Sequence, residues 1–210
     1  PTAVMPVPIE DRFRPAKGSD LRHRLEVPSG APVLGSVGKL AKGRGFGRLL
    51  DTAARLEAPA HVLVVGHGEL QPQLEEQARD LGIQRRVHWT GYQDEALPGL
   101  YSIMDVFLFT APGSDWGHRA VSEAQSCGRP VVAVAWPGIQ DLVEDGVSGR
   151  IADRDSSALA RAVDSLIADP DAAHRLGTGA ADAAESRTLA EVGRRLAHFL
   201  EPFTSRKQLH

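Results

Sequence analysis

A single cysteine, Cys127, in 210 residues excludes an intramolecular disulfide framework and leaves no companions for a cysteine-rich zinc site; a reducing, cytoplasmic compartment is expected. Aromatic residues are scarce, 5% against 42% hydrophobic overall. Ala, Gly, Leu and Val fill the apolar positions, which suits a parallel sheet covered by helices better than an aromatic-rich sandwich. A strong excess of one charge is missing too. The formal net charge is −3 and no run of Lys or Arg forms a stripe, so a broad nucleic-acid surface is not expected, and any anion recognised is small and held locally. No stretch approaches the roughly 20 apolar residues of a membrane span. The opening PTAVMPVPIEDRF lacks the basic region and apolar core of a signal peptide. His67, His88 and His118 have no metal-ligand spacing, so neither a metal nor another cofactor is expected.

What the chain does contain is alternation. Residues 1–30, with five prolines among the first 31 residues and few periodic apolar positions, read as an entry segment. Residues 31–203 read as one domain, and 204–210 as a polar tail. Within the domain, β-rich runs PVLGSV (32–37), HVLVVG (61–66), RVHWTG (86–91), DVFLFT (105–110) and PVVAVA (130–135) are each followed by a helical pattern. That order predicts an α/β fold, a doubly wound Rossmann-like parallel sheet of about six strands with helices on both faces. Helical spacing joins Phe46, Leu49, Leu50, Ala53 and Leu56, and again Leu70, Leu74, Ala78 and Leu81. After about residue 153 only helical patterns remain. Asp169-Pro170 fits an N-cap with a first-turn proline, and Thr188-Leu189-Ala190-Glu191 fits a capping box.

The stretch from Ala111 to Gly128, between the fourth and fifth strands, is the richest in chemistry. In an open α/β sheet, ligands bind at the carboxyl ends of strands, where free amides at a helix start attract anions. The loop at 112–119 is therefore a candidate phosphate cradle. Asp115 and Glu123, with seven residues between them, suit paired sugar hydroxyls, since an ionised carboxylate offers two acceptor oxygens. By spacing alone, Asp115 reads more readily as a turn or cap residue than as a ligand group, and Glu123 as a solvated face. Lys39, Lys42 and Arg44 follow the first strand on a glycine-containing turn, where Lys39 and Arg44 are placed to clamp a diphosphate or to be ordinary surface cations. Gly66-His67-Gly68 after the second strand is a tight turn that would let a ligand approach the backbone, although it is no dinucleotide fingerprint. Tyr92 after the third strand either stacks on a base or covers the sheet end.

These elements, in this order, resemble the C-terminal domain of glycosyltransferases of the GT-B fold, specifically the large retaining group called family 4, or group 1. The resemblance begins with Val7-Pro8-Ile9-Glu10-Asp11-Arg12-Phe13-Arg14-Pro15 and continues through Gly38-Lys39-Leu40 with Arg44-Gly45-Phe46, then Gly66-His67-Gly68 and Val87-His88-Trp89-Thr90-Gly91. Leu100-Tyr101, Asp105-Val106, Glu123-Ala124, Cys127-Gly128-Arg129-Pro130 and Asp141-Leu142-Val143 follow in family order, as do Leu159-Ala160 and Asp169-Pro170. No single piece is specific; the ordered set is.

The resemblance implies that Lys39 and Arg44 bind the donor pyrophosphate and that Glu123, the second acid of the E-x7-E motif, binds ribose hydroxyls. Asp115 would stand for the first acid, touching the transferred sugar, and these two acids are the expected catalytic pair. Backbone amides at Gly117, His118, Arg119 and Ala120 would meet the phosphates, and Gly66, Gly68 and Tyr92 complete the expected donor contacts. It further implies a hexosyltransferase that needs no metal, with retention at the sugar, and an acceptor-binding N-terminal domain that this chain has no room for. Peripheral membrane contact would come through that missing half. The isolated chain is then expected to bind donor and turn over slowly or not at all. Where the family has Glu-Gly-Phe-Gly, this sequence has Asp115-Trp116-Gly117-His118, or, shifted by one, Ser114-Asp115-Trp116-Gly117. Two other readings stand beside the enzyme: a non-catalytic nucleotide-sugar-binding or assembly module, motivated by that altered motif, and a GT-B epimerase.

Overall fold

The computed structural model describes residues 5–15, 19–112 and 115–204, with the side chains of residues 19, 115–118 and 204 excepted. Among the described residues six parallel strands form one sheet: β1 (Val33–Val37), β2 (His61–Val65), β3 (Val87–Trp89), β4 (Val106–Phe109), β5 (Val131–Val134) and β6 (Gly149–Ala152). Their spatial order is β3-β2-β1-β4-β5-β6. In β1, Leu34 lies opposite both Val62 and Val106, so the sheet extends to each side of β1. The first five strands match the β-rich runs read from the sequence. The sixth carries little strand signal because it sits at the sheet edge with Arg150 exposed.

Strands buried on both faces read as unbroken apolar runs, and the period of two divides each run between two cores. Val33, Leu63, Val65, Phe107, Phe109, Val131 and Ala133 face one core, while Leu34, Val62, Val64, Val106, Leu108, Val132 and Val134 face the other. The second core is closed by α2 (Phe46–Ala53), α3 (Gln71–Asp80) and α6 (Ser156–Ala168) through Leu49, Leu50, Leu74, Leu159 and Val163. The first is closed by α4 (Leu97–Ile103) and α5 (Asp115–Ser126), with α1 (Ser19–Arg24) packed against α4. α7 (Pro170–Glu185) packs on both α5 and α6. α8 (Leu189–Thr204) follows.

The helix starts obey the expected chemistry. Asp169 caps α7 by accepting from the Ala172 amide at 2.9 Å, with Pro170 in the first turn. Thr188 Oγ1 accepts from the Glu191 amide at 3.3 Å and opens α8. No helix among the described residues is long and apolar enough to cross a membrane.

The entry segment does more than its proline content suggests. Ile9 donates its amide to Arg187 O at 2.8 Å and bridges to Thr188, and Ile9, Phe13 and Val27 are all buried in the first core. Burying these side chains ties the entering segment to one face of the sheet, beside the start of α8.

Gly177, inside α7, lies so close to the end of α5 that an added Cβ would come 2.4 Å from Gly128 O. Alanine normally favours a helix interior over glycine by about 1 kcal/mol; here that sign should reverse. Gly177→Ala is expected to lower unfolding free energy by about 1–3 kcal/mol in urea titrations. Gly193→Ala, in α8 with nothing within 4 Å of the new methyl, is expected to raise it by up to about 1 kcal/mol. An unchanged Gly177→Ala midpoint would contradict the α5–α7 contact.

Candidate functional site

Because the chain turns one way from β1 to β3 and the other way from β4 to β6, the loops leaving β1 and β4 diverge. A cavity of about 470 Å³ opens between them at the carboxyl ends of the strands. Its walls come from the end of β1 and its turn (Ser36 to Lys39, Arg44), the end of β2 (Val65 to His67), the loop after β3 (Tyr92 to Asp94), the end of β4 (Phe109 to Ala111) and one side of α5 (Arg119, Ala120, Glu123). Arg12 reaches in from the entry segment.

The loops are stitched by backbone bonds before any ligand arrives. Gly38 donates to Val65 O at 2.9 Å, Leu40 to His67 O at 3.0 Å and Gly66 to Gly91 O at 2.8 Å. Thr110 Oγ1 donates to Gly45 O at 2.8 Å, holding the end of β4 to the β1 turn. Gly66 is required there: its φ is +131° and a Cβ would sit 1.9 Å from Gly38 O. Gly68, expected among the donor contacts, does not line the cavity. Its Cα lies against the Leu40 backbone, 2.3 Å from Leu40 O for a virtual Cβ, so the glycine serves packing between two turns.

The structure brings Lys39, Arg44, Gly66, Tyr92, Arg119, Ala120 and Glu123 to this one cavity. Tyr92 is 72% exposed at the rim, its ring edge-on to His67 at 6.0 Å between centroids. In a helix that begins at Asp115 the amides of residues 115–117 have no intrahelical acceptor, which leaves that of Gly117 for an anion. From His118 onward, and so at Arg119 and Ala120, amides bond within the helix, and Arg119 contributes its guanidinium instead. The Asp115 side chain and Ser114, the two alternatives for the first acid, lie outside what is described.

Glu123 is no solvated face: it is 5% exposed. Oε2 accepts from the Tyr101 hydroxyl at 2.9 Å and Oε1 from Arg119 Nε at 2.8 Å. Burial raises the Glu123 carboxyl above the ordinary glutamate value of 4.5, while Arg119 and Tyr101 pull it back. Tyr101 is itself held neutral, pushed well up by burial and by the Glu123 charge.

From Glu123 a chain of ion pairs runs outward. Arg119 Nη2 meets Glu10 Oε1 at 2.7 Å, Arg12 Nε meets Glu10 Oε2 at 2.9 Å, and Arg12 Nη2 bonds Asp94 in the loop after β3. Sequence reading missed Glu10, Arg12, Asp94 and Tyr101 as members of the site. Only Tyr101 gave a local signal, since a tyrosine in an apolar helix requires a partner for its hydroxyl. Among the described residues no group of three or more His, Cys, Asp or Glu is arranged to hold a metal ion.

Residues 19–183 match the family described as Glycosyl transferases group 1. The chain is 34% identical, over 149 residues, to the lipopolysaccharide core biosynthesis glycosyltransferase LpsE of Rhizobium meliloti (strain 1021), covering 70% of this chain and 43% of that protein. The crystal structure of Anabaena HepE in complex with UDP and glucose superimposes with a TM-score of 0.86 at 26% identity, over 96% of this chain and 57% of that one. The C-terminal domain of a glycosyl transferase group 1 family protein, LpcC of Francisella tularensis, shares the fold, with a TM-score of 0.70 at 19% identity over 84% of this chain and 96% of that one. The chain spans about two fifths of the length of the curated relatives it matches, 43% in one and 38% in another.

A pH test follows from the Glu123 environment. A carboxyl whose folded value is raised contributes stability that is fully present below 4.5 and is lost as pH rises through the folded value. Glu123→Gln removes that dependence. In urea titrations the wild-type chain should therefore gain stability relative to Glu123→Gln as pH falls from 7 towards 4.5; a constant or opposite difference would contradict the burial assigned to this carboxylate.

Proposed function

Because the chain belongs to the group 1 glycosyl transferases, we propose that its cavity holds a nucleoside diphosphate sugar and that it serves as the donor-binding part of a retaining hexosyltransferase. The observation that carries this is the convergence, on the single crevice between β1 and β4, of a buried carboxylate, Glu123, with two cations from the opposite turn, Lys39 and Arg44. The complex of HepE with UDP and glucose supports UDP as the nucleotide.

In this reading Lys39, Arg44 and the amides at the start of α5 bind the diphosphate. Lys39 acts as a point charge and Arg44 as a planar fork. Glu123 accepts from the ribose hydroxyls, and Tyr92 with His67 borders the base. Asp115, or Ser114 if the motif is shifted by one, takes the part of the first acid towards the transferred sugar.

When the bond between the sugar and the diphosphate breaks, negative charge grows on the leaving oxygens while the sugar carbon gains oxocarbenium character. Fixed cations and helix-start amides lower that barrier, because they are already oriented towards the developing charge. No side chain has to form a covalent bond. Acceptor binding and exclusion of water are assigned to a further domain, in keeping with a matched part that covers only 43% and 38% of the relatives' own length.

Calorimetric titration with UDP tests the proposal. The chain is expected to bind UDP, and Arg44→Ala or Lys39→Ala to weaken it by about 10- to 100-fold, the loss of one charge-assisted contact. Absence of UDP binding at millimolar concentration would overturn the reading, and unchanged affinity in Arg44→Ala would remove Arg44 from the clamp.

A further inference from the structure

The segment that brings the chain into the fold touches Glu123 by two separate routes. The first is charged: Glu10 Oε1 takes one end of the Arg119 guanidinium at 2.7 Å, and the other end lies on Glu123 Oε1 at 2.8 Å. The second is aromatic: the buried Phe13 ring packs edge-on to Tyr101, 6.0 Å between centroids and 73° between planes, and the Tyr101 hydroxyl donates to Glu123 Oε2 at 2.9 Å. Glu10 is fixed in turn by Arg12, and the backbone at Ile9 by its bond to Arg187 O. Glu10 and Arg119 are 109 residues apart in sequence, so only the folded segment supplies this contact.

The geometry divides the acceptor capacity of Glu123. A carboxylate offers about four lone-pair positions. Arg119 occupies one on Oε1 and Tyr101 one on Oε2, which among the described residues leaves one position on each oxygen of a carboxylate that lines the cavity. Two open positions on neighbouring oxygens match two vicinal hydroxyls. Their direction depends on Arg119 staying where it is. On a helix, a cation four residues before an anion is the weaker order of such a pair, and the Arg119 side chain is 39% exposed. Glu10 supplies the outside anchor that holds it.

We propose that Glu10 and Arg119 are positioning residues for the donor: Glu10, on the entering segment, keeps Arg119 on Glu123 and thereby sets the two open acceptor positions of that carboxylate for the ribose hydroxyls. This rests on the nucleoside diphosphate reading of the cavity. Coupling of this kind is reciprocal, so ribose bound at Glu123 also tightens the segment that carries Glu10.

The test is a titration of the chain, wild type and two variants, with UDP, 2′,3′-dideoxy-UDP and inorganic pyrophosphate. Glu10→Gln keeps the shape of the side chain and removes its charge. Arg119→Lys keeps the charge but cannot span two carboxylates. Both are expected to weaken UDP by about three- to fivefold, the scale of a half-exposed ion pair, while dideoxy-UDP and pyrophosphate stay within about twofold. Hydrogen exchange at residues 9–13 is expected to slow with UDP in the wild type and to respond much less to pyrophosphate. Unchanged UDP affinity in both variants, or an equal loss for all three probes, would overturn the positioning role. Failure of the wild type to bind UDP at all would instead overturn the reading of the cavity.

Discussion

The parallel pairing of β1 with β2 on one side and with β4 on the other is the constraint from which the site derives. Parallel strands bring every carboxyl end to one rim, and right-handed crossovers place α2 and α3 on one face but α4 and α5 on the other. The two turns that leave β1 and β4 therefore part. Cations fall on one wall, Lys39 and Arg44 after β1, and the carboxylate falls on the other, Glu123 in α5 after β4. Neither set makes a site alone.

The burial of Glu123 gives that crevice its character. A carboxylate removed from water must be paired and hydrogen-bonded, and Tyr101 and Arg119 meet that demand from α4 and from α5 itself. Arg119 then needs its own anchor, which the chain finds in Glu10, and Glu10 needs Arg12. The requirement of one buried acid thus draws the entering segment, two helices and the loop after β3 into a single polar network around the cavity. Such a network is stiff when fully satisfied and costly when any member is lost.

Much of this architecture was legible in the sequence because it is local. Unbroken apolar runs announced β1 to β5, and Asp169-Pro170 and Thr188 announced helix starts that the structure bears out. What stayed hidden depends on distant neighbours. Glu123 reads as a solvated position if α5 has one apolar stripe through Val121, yet α5 is enclosed by β4, β5, α4 and α7. Ser122, Glu123 and Gln125 are consequently as buried as Val121 and Ala124. Gly68 looked like a place for a ligand to approach the backbone, and the approach is made instead by the Leu40 turn. β6 is a short edge strand with few apolar side chains to mark it, and the packing of Ile9 and Phe13 onto the sheet joins residues too far apart for any periodicity to reveal.

The proposed role of the crevice between β1 and β4 is to bind a nucleoside diphosphate with its ribose on a carboxylate already oriented for it. A crystal structure of the chain with UDP tests this most directly. The diphosphate is expected between the β1 turn and the start of α5, with both ribose hydroxyls on Glu123 and the Arg119 and Tyr101 bonds to it unbroken. UDP bound elsewhere, or bound in the crevice with its ribose turned away from Glu123, would contradict it.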